Sequence, residues 1–300
     1  MLRRGIPAAR RRENPLPLQS GARRNQSWRT LLRTILDTIV ETKHRELVTR
    51  KAGRPQTELQ EQVRYVDPPR DFFAAVATDS PHGIRLIAEV KKASPSAGEI
   101  VQDFDPVKIA STYHANGADA ISVLTDETYF QGRLEFISQI KAVVPLPVLR
   151  KDFLVDEYQV WESRAHGADA ILLIAEILES DALVRLRDVA AELSMTTLVE
   201  VHAAENLRRV IDVLGLPDRK SYILGINNRD LALQKTDLQT TERLASLLPA
   251  DTPFVAESGI GTRDDVLTVQ RAGASAMLVG ESILRSSNHG SKIRELRGTE

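Results

Sequence analysis

Three observations in the 300-residue sequence predict an α/β chain folded as a (β/α)8 barrel of the TIM type with an extra N-terminal helix. Apolar runs recur at eight places, with helical patterns between them. One phrase repeats where a helix hands over to a strand: His114-Ala-Asn-Gly-Ala-Asp-Ala-Ile-Ser-Val-Leu124, Arg164-Ala-His-Gly-Ala-Asp-Ala-Ile-Leu-Leu-Ile174 and Gln270-Arg-Ala-Gly-Ala-Ser-Ala-Met-Leu-Val279. Finally, chargeable residues gather at the C-terminal ends of the apolar runs, where barrels of this kind carry their chemistry.

Residues 1–28 stand apart, with Arg3, Arg4, Arg10, Arg11, Arg12, Arg23 and Arg24 facing the single acid Glu13. So little apolar area predicts a disordered basic extension. A transit peptide and a basic arm for nucleic acid are the competing readings, the first weakened by the lack of an apolar face. Residues 29–300 are read as one barrel domain. Its first element is an amphipathic helix from Arg29 to about Arg50, on the spacing of Leu31, Leu32, Ile35, Leu36, Ile39 and Val40. A polar link with Pro55, Pro68 and Pro69 follows, which places that helix against the domain from outside. A short helix around Asp71–Ala77 leads into the first strand.

The strands are predicted near 86–91, 119–124, 147–151, 169–174, 196–201, 222–227, 253–257 and 275–279. They are apolar almost throughout, as parallel strands covered on both faces must be. In the repeated phrase the glycines Gly117, Gly167 and Gly273 suit a left-handed helix C-cap, and a strand begins at once. Helices are predicted from near Pro106, Arg133, Asp156, Asp181, Ala203, Asp237, Thr262 and Glu281. A doubly wound open sheet is the runner-up, but no Gly-x-Gly-x-x-Gly follows an early strand.

Composition narrows the function. With 42% hydrophobic and 27% charged residues the chain reads as a soluble globular protein, placed in the cytoplasm. Lys and Arg number 40 against 41 Asp and Glu, so net charge gives no reason to expect nucleic acid or a membrane as partner. No apolar run reaches the roughly 18 residues of a membrane helix. The absence of Cys removes disulfides, thiolate metal sites and Cys nucleophiles, and the scattered His residues argue against a metal centre.

Glu89 and Lys91 lie two apart at the end of the first strand and therefore share a face. Alone they are also the pattern of an ordinary ion pair. Lys151 and Asp152 end strand three, Glu200 lies on strand five, Asn227 and Arg229 end strand six, and Glu257 and Ser258 end strand seven. Strands two and four end in Leu124-Thr125 and Leu172-Leu173-Ile174, an apolar wall between the charges. Burying so many charges only to hold a core together is costly, which favours an active site. Glu257-Ser-Gly-Ile-Gly261 and Val279-Gly-Glu-Ser282 add small residues after strands seven and eight, where barrels hold phosphate.

These residues carry a resemblance. Ile87-Ala-Glu-Val-Lys-Lys-Ala-Ser-Pro-Ser96, Arg150-Lys-Asp-Phe153, Leu198-Val-Glu-Val201, Gly225-Ile-Asn-Asn-Arg-Asp-Leu231 and Ala256-Glu-Ser-Gly-Ile260 follow one another as in the indole-3-glycerol-phosphate synthase family. The resemblance runs from about Leu31 to the helix after strand eight. It implies ring closure, decarboxylation and dehydration of an anthranilate-linked 1-deoxyribulose 5-phosphate in tryptophan biosynthesis, with no cofactor and no metal. Its implied partners are that small phosphorylated substrate and other enzymes of the tryptophan pathway.

Position by position, the resemblance makes Lys151 the general acid at the ribulose carbonyl. Lys91 becomes a contact of the anthranilate carboxylate or a second acid, and Glu200 the base of the dehydration. Glu89 and Asn227 would steady the intermediates. Phe130, Phe153 and Leu172 would line the ring pocket. Ser94 and Arg229 would join the substrate contacts, and Ser258, Gly259, Gly280 and the backbone of Glu281 would cradle the phosphate. The chemistry fits, since closing a bond onto a ketone needs a proton at the developing alkoxide, and nearby Glu89 and Glu200 should keep Lys151 charged.

Two positions depart from the family: Ala97 where many members have Lys, and Glu281 where many have Ser. A carboxylate facing a phosphate repels it, so Glu281 is expected to offer only its N–H. Other readings stay open beside this one. A phosphoribosylanthranilate isomerase would call for a Cys base. An aldolase would use Lys151 as a Schiff-base nucleophile. A non-catalytic phosphate-binding barrel would have no need of the full Glu and Lys set.

Overall fold

The computed structural model describes residues 34–78, 83–218, 222–230 and 235–299. The basic extension 1–28, and Leu31 and Leu32 of the first apolar stripe, lie outside the described residues. Eight parallel strands close into a barrel: β1 (Arg85–Val90), β2 (Ala120–Leu124), β3 (Val148–Lys151), β4 (Ala170–Ile174), β5 (Thr196–Val201), β6 (Tyr222–Asn227), β7 (Phe254–Glu257) and β8 (Ala276–Val279). Each pairs with its neighbours in sequence, and β1 closes the ring by pairing Arg85 with Ala276 of β8 and Ile87 with Ala120 of β2. Every strand was predicted within a residue or so of its observed ends.

Strand alternation separates two layers of core. Leu86, Ala88, Val90, Ile121, Val123, Val199 and Leu224 face outward beneath the helices. Ile87, Leu149, Leu172, Leu198, Ile223, Val255 and Leu278 fill the barrel. The repeated phrase has a physical cause. Gly117, Gly167 and Gly273 take φ of 94°, 90° and 95°, which their lack of a Cβ permits. The residue two further on then ties its strand to the one before: Asp119 accepts from the Leu86 N–H at 2.8 Å, and Asp169 from the Val148 N–H at 2.7 Å. In the third copy the Ser275 hydroxyl donates to the Phe254 carbonyl at 3.1 Å.

The chain before the barrel forms α1 (Ile35–Gly53), α2 (Gln56–Val63) and α3 (Phe72–Ala77). Thr34 caps α1, accepting from the Asp37 N–H while the Asp37 carboxylate accepts from the Thr34 N–H. α2 corrects the sequence reading of a plain polar link; its buried Leu59 packs with Leu47, Tyr158 and Ala165. α3 buries Phe72 and Val76 in the inner layer, against β1, β2 and β6.

The position of α1 is a second correction, since it does more than lie against the outside. Ile39 is buried in the inner cluster, with Ile35 and Leu36 packed beside it. Its register is set by Lys43, which is 2% exposed and reaches Asp126 at 2.5 Å and Asp152 at 3.3 Å.

The helices after the strands start where predicted: α4 (Pro106–Ala115), α6 (Glu135–Lys141), α7 (Glu157–Ala165), α8 (Ser180–Glu192), α9 (Ala204–Leu214), α10 (Gln239–Ala245), α11 (Arg263–Arg271) and α12 (Glu281–Leu284). Two more, α5 (Glu127–Phe130) and α13 (His289–Arg297), had no strong periodicity to announce them.

Candidate active site

The C-terminal ends of the strands surround a cavity of about 460 Å³. Every residue predicted to act on or bind substrate lines it: Glu89 on β1, Lys91 and Ser94 after it, Phe130 after β2, Lys151 and Phe153 on and after β3, Leu172 on β4, and Glu200 on β5. Asn227 and Arg229 follow from β6, Ser258 and Gly259 from β7, and Gly280 and Glu281 from β8. Ile35, Leu36 and Ile39 of α1 cover the apolar side, a contribution that the sequence reading did not place there.

The floor is a lysine among carboxylates. Lys151 Nζ donates to Glu200 Oε2 at 3.0 Å and lies 3.4 Å from Glu257 Oε2. Burial works against its charge, but Glu200, Glu257 and Glu89 outweigh burial and hold the ammonium well above the ordinary lysine range. Burial also opposes ionisation of Glu200. Lys151 and His202 overcome it and hold this carboxyl well below the usual range. Glu257 goes the other way: burial and the neighbouring Glu200 charge push it up to about 8 against the pull of Lys151. The two carboxyls are thus pushed apart, Glu200 toward the carboxylate and Glu257 toward the protonated form.

At the end of β1, Lys91 Nζ meets Glu89 Oε1 at 2.5 Å, so the predicted shared face holds both. Asn227 is buried at the end of β6, its Oδ1 accepting from the Arg229 N–H at 2.9 Å. Phe130 and Phe153 tilt toward each other with ring centroids 6.1 Å apart, forming an aromatic wall beside Leu172. Asp152 does not join the catalytic group. Its carboxylate is taken up by Arg150 at 3.0 Å and the Thr125 hydroxyl at 2.6 Å, with Lys43 beside it.

Opposite the aromatic wall the backbone is open. Ser258 and Gly259 have φ of 64° and 79°, which turns the chain sharply after β7. A Cβ on Gly280 would lie 2.4 Å from Glu89 Oε1, so only glycine lets β8 approach β1 this closely. The Glu281 carboxylate is turned to guanidinium groups, accepting from Arg229 at 3.3 Å and Arg285 at 2.9 Å. Burial opposes its charge, and the two arginines still lower its pKa. Arg229 also donates to the Ser96 hydroxyl at 3.1 Å, linking the loops after β1, β6 and β8.

The sequence reading assigned no role to Glu257, although it stood at a strand end like the others, and overlooked Arg285, one helical turn after Glu281. Among the described residues no group of three or more His, Asp and Glu side chains is arranged to hold a metal ion. A lysine among carboxylates, an aromatic wall and a small-residue rim at the C-terminal strand ends are the arrangement of a (β/α)8-barrel enzyme site.

A family model described as indole-3-glycerol phosphate synthase matches residues 36–296. The chain is 45% identical to the indole-3-glycerol phosphate synthase of Roseiflexus castenholzii, over 88% of this chain and 98% of that one. It is 47% identical to that of Rhodopirellula baltica, over 84% and 94%. The chain belongs to the indole-3-glycerol phosphate synthase family, decarboxylating lyases of tryptophan biosynthesis. Among solved structures, the 3-hexulose-6-phosphate synthase of Salmonella typhimurium superimposes with a TM-score of 0.58 at 13% identity, covering 72% of this chain and 98% of that one. That likeness is one of barrel fold.

Proposed function

We propose that this site closes an indole ring on 1-(2-carboxyphenylamino)-1-deoxyribulose 5-phosphate, with Lys151 as the general acid. The ring carbon bearing the carboxylate attacks the ribulose carbonyl, and the carbonyl oxygen takes its proton from the Lys151 ammonium. Carbon dioxide leaves, and the C–C bonding pair it abandons restores the aromatic ring. The hydroxyl then departs as water while Glu200 takes a proton from the adjacent carbon. Lys91 pairs with the substrate carboxylate and serves as the second acid, and Glu89 and Asn227 steady the intermediates. Phe130, Phe153 and Leu172 hold the aromatic ring, with Ser94 and Arg229 at the polar side.

The phosphate rests on Ser258, Gly259, Gly280 and the Glu281 N–H. The Glu281 carboxylate, neutralised by two arginines, opposes a dianion far less than a free one would. Support for the acid role comes from one observation above all: Lys151 is held as an ammonium by the Glu200 carboxylate at 3.0 Å, whereas a Schiff-base nucleophile must be neutral. In this reading the enzyme is cytoplasmic and works beside other enzymes of the pathway, and the near balance of 40 basic and 41 acidic residues gives it no general attraction to nucleic acid or membrane. Among the described residues no helix is long and apolar enough to cross a membrane. Residues 29–300 form the catalytic domain in this reading, and residues 1–28 are an extension it does not need.

The test follows indole fluorescence as it develops from the substrate. Lys151→Met is expected to lower kcat roughly 100- to 10,000-fold. Wild-type protein treated with substrate and borohydride is expected to keep its unmodified mass. A stable adduct on Lys151 would replace the acid role with covalent catalysis.

A further inference from the structure

Glu200 and Glu257 reach the same ammonium at 3.0 and 3.4 Å, both are about 1% exposed, and Lys151 alone does not decide which of them keeps a proton. What distinguishes them lies behind the cavity wall. Glu200 Oε1 faces His202 Nε2 at 3.1 Å, so each oxygen of Glu200 has its own cationic partner. Both oxygens of Glu257 are buried with no hydrogen-bond donor, and Gly225 presses on one of them, where a Cβ would stand 2.2 Å away. A protonated Glu257 gives one of those oxygens a bond, donating to Glu200 beside it.

We infer that His202 is the positioning residue that assigns the shared proton to Glu257 and leaves Glu200 ionised as the base. His202 does not itself line the cavity. It acts through Glu200, and the inference rests on the base role proposed for that residue. Its surroundings suit the task. The groups facing it are Glu200 on β5, Glu257 on β7 and Glu176 in the short helical turn after β4, the last with Oε2 at 3.8 Å from Nε2. Glu176 is fixed in turn, its Oε1 accepting from the His202 N–H at 2.8 Å and from Asn206 at 3.0 Å. The nearby Arg209 is occupied with the Leu178 and Ala175 carbonyls and Asn206. Burial disfavours the imidazolium, yet the bond to Glu200 and the charges of Glu200 and Glu176 raise its pKa to about 9. That direction favours a charged ring at neutral pH, set on the opposite oxygen of the base from Lys151, while Nδ1 is buried with no partner among the described residues.

The experiment compares pH profiles of kcat for wild type, His202→Gln and His202→Ala, with Glu200→Gln in parallel. Gln keeps a neutral donor and loses the charge. If the charge makes the assignment, the acid limb moves up by about one pH unit in both His202 variants, because Glu200 then competes with Glu257 for the proton. A Gln variant with the wild-type limb would reduce His202 to a structural bond and overturn the inference. Carboxyl 13C titration of the wild type decides independently of how the variants fold. Glu257, identified by its loss in Glu257→Gln, should titrate near 8 while Glu200 titrates well below the usual carboxylate range. Two glutamates titrating together would refute the assignment. Wild-type turnover in Glu200→Gln would remove the base role itself. An inactive Glu200→Gln beside an unmoved limb in His202→Gln would remove only the part given to His202.

Discussion

Lys43→Met tests whether α1 is held over the barrel by charge. Lys43 Nζ lies 2.5 Å from Asp126, 3.0 Å from Glu46 and 3.3 Å from Asp152. Asp152 keeps Arg150 and Thr125 when the lysine is lost, and Glu46 is partly exposed. Asp126 is 0% exposed and retains only the Tyr129 and Phe130 N–H groups. An uncompensated buried carboxylate costs about 3–5 kcal/mol, and the low end applies because two backbone bonds remain. For a domain of this size about 3 kcal/mol corresponds to a fall in Tm of roughly 6–12 °C.

The pH dependence follows from Asp126, whose pKa burial already raises against the pull of Lys43. Without the lysine it rises further above the unfolded value, so protonation stabilises the folded variant at low pH. That contribution is lost as pH rises through the folded pKa. The Tm deficit should therefore be larger at pH 7 than at pH 5, and Asp126→Asn in the same chain should recover most of it. Differential scanning calorimetry at both pH values is the measurement. A deficit below about 2 °C, or one that widens at pH 5, would refute the reasoning.

Gly280→Ala should lower kcat/KM roughly 100-fold, the scale of a 1 Å misplacement of catalytic groups, because its Cβ would displace the Glu89 carboxylate. Steady-state kinetics near wild type would show that β8 can move aside. Glu257→Gln mimics a permanently protonated residue. With a folded pKa near 8, Glu257 contributes stability present in full below the unfolded pKa and lost as pH rises through 8. The Tm of the variant relative to wild type should therefore climb from pH 5 to pH 9, and a constant difference would contradict the raised pKa.

The barrel was legible because parallel strands buried on both faces leave uninterrupted apolar runs, and because the Gly-Ala-Asp phrase marks the same junction wherever it occurs. The candidate site was legible through the same geometry, since polar residues such as Glu89, Lys151 and Glu200 appear where those runs end and line one cavity. Partnerships across long stretches of chain left no trace. Lys43 sits in the middle of a helix and pairs with Asp126 and Asp152, and no spacing in the sequence announces it. Nothing in the amphipathic stripe of α1 says that Ile39 enters the barrel mouth. α2 carries one buried hydrophobe, Leu59, too few for a period to emerge. His202 follows the strand-five motif directly, but its meaning depends on Glu176, which comes from another strand's end.

The pairing of β1 with β8 has a consequence for synthesis. A ribosome delivers β1 long before β8, yet Arg85 and Ala276 are partners, and Gly280 is the residue against which Glu89 is seated. Until the last strand has cleared the exit tunnel, the nascent chain carries two raw sheet edges, one on β1 and one on β7, that can pair with another molecule. Translation that halts before Ala276 therefore yields sticky, inactive fragments, and the enzyme gains its activity in a single late event when the ring closes.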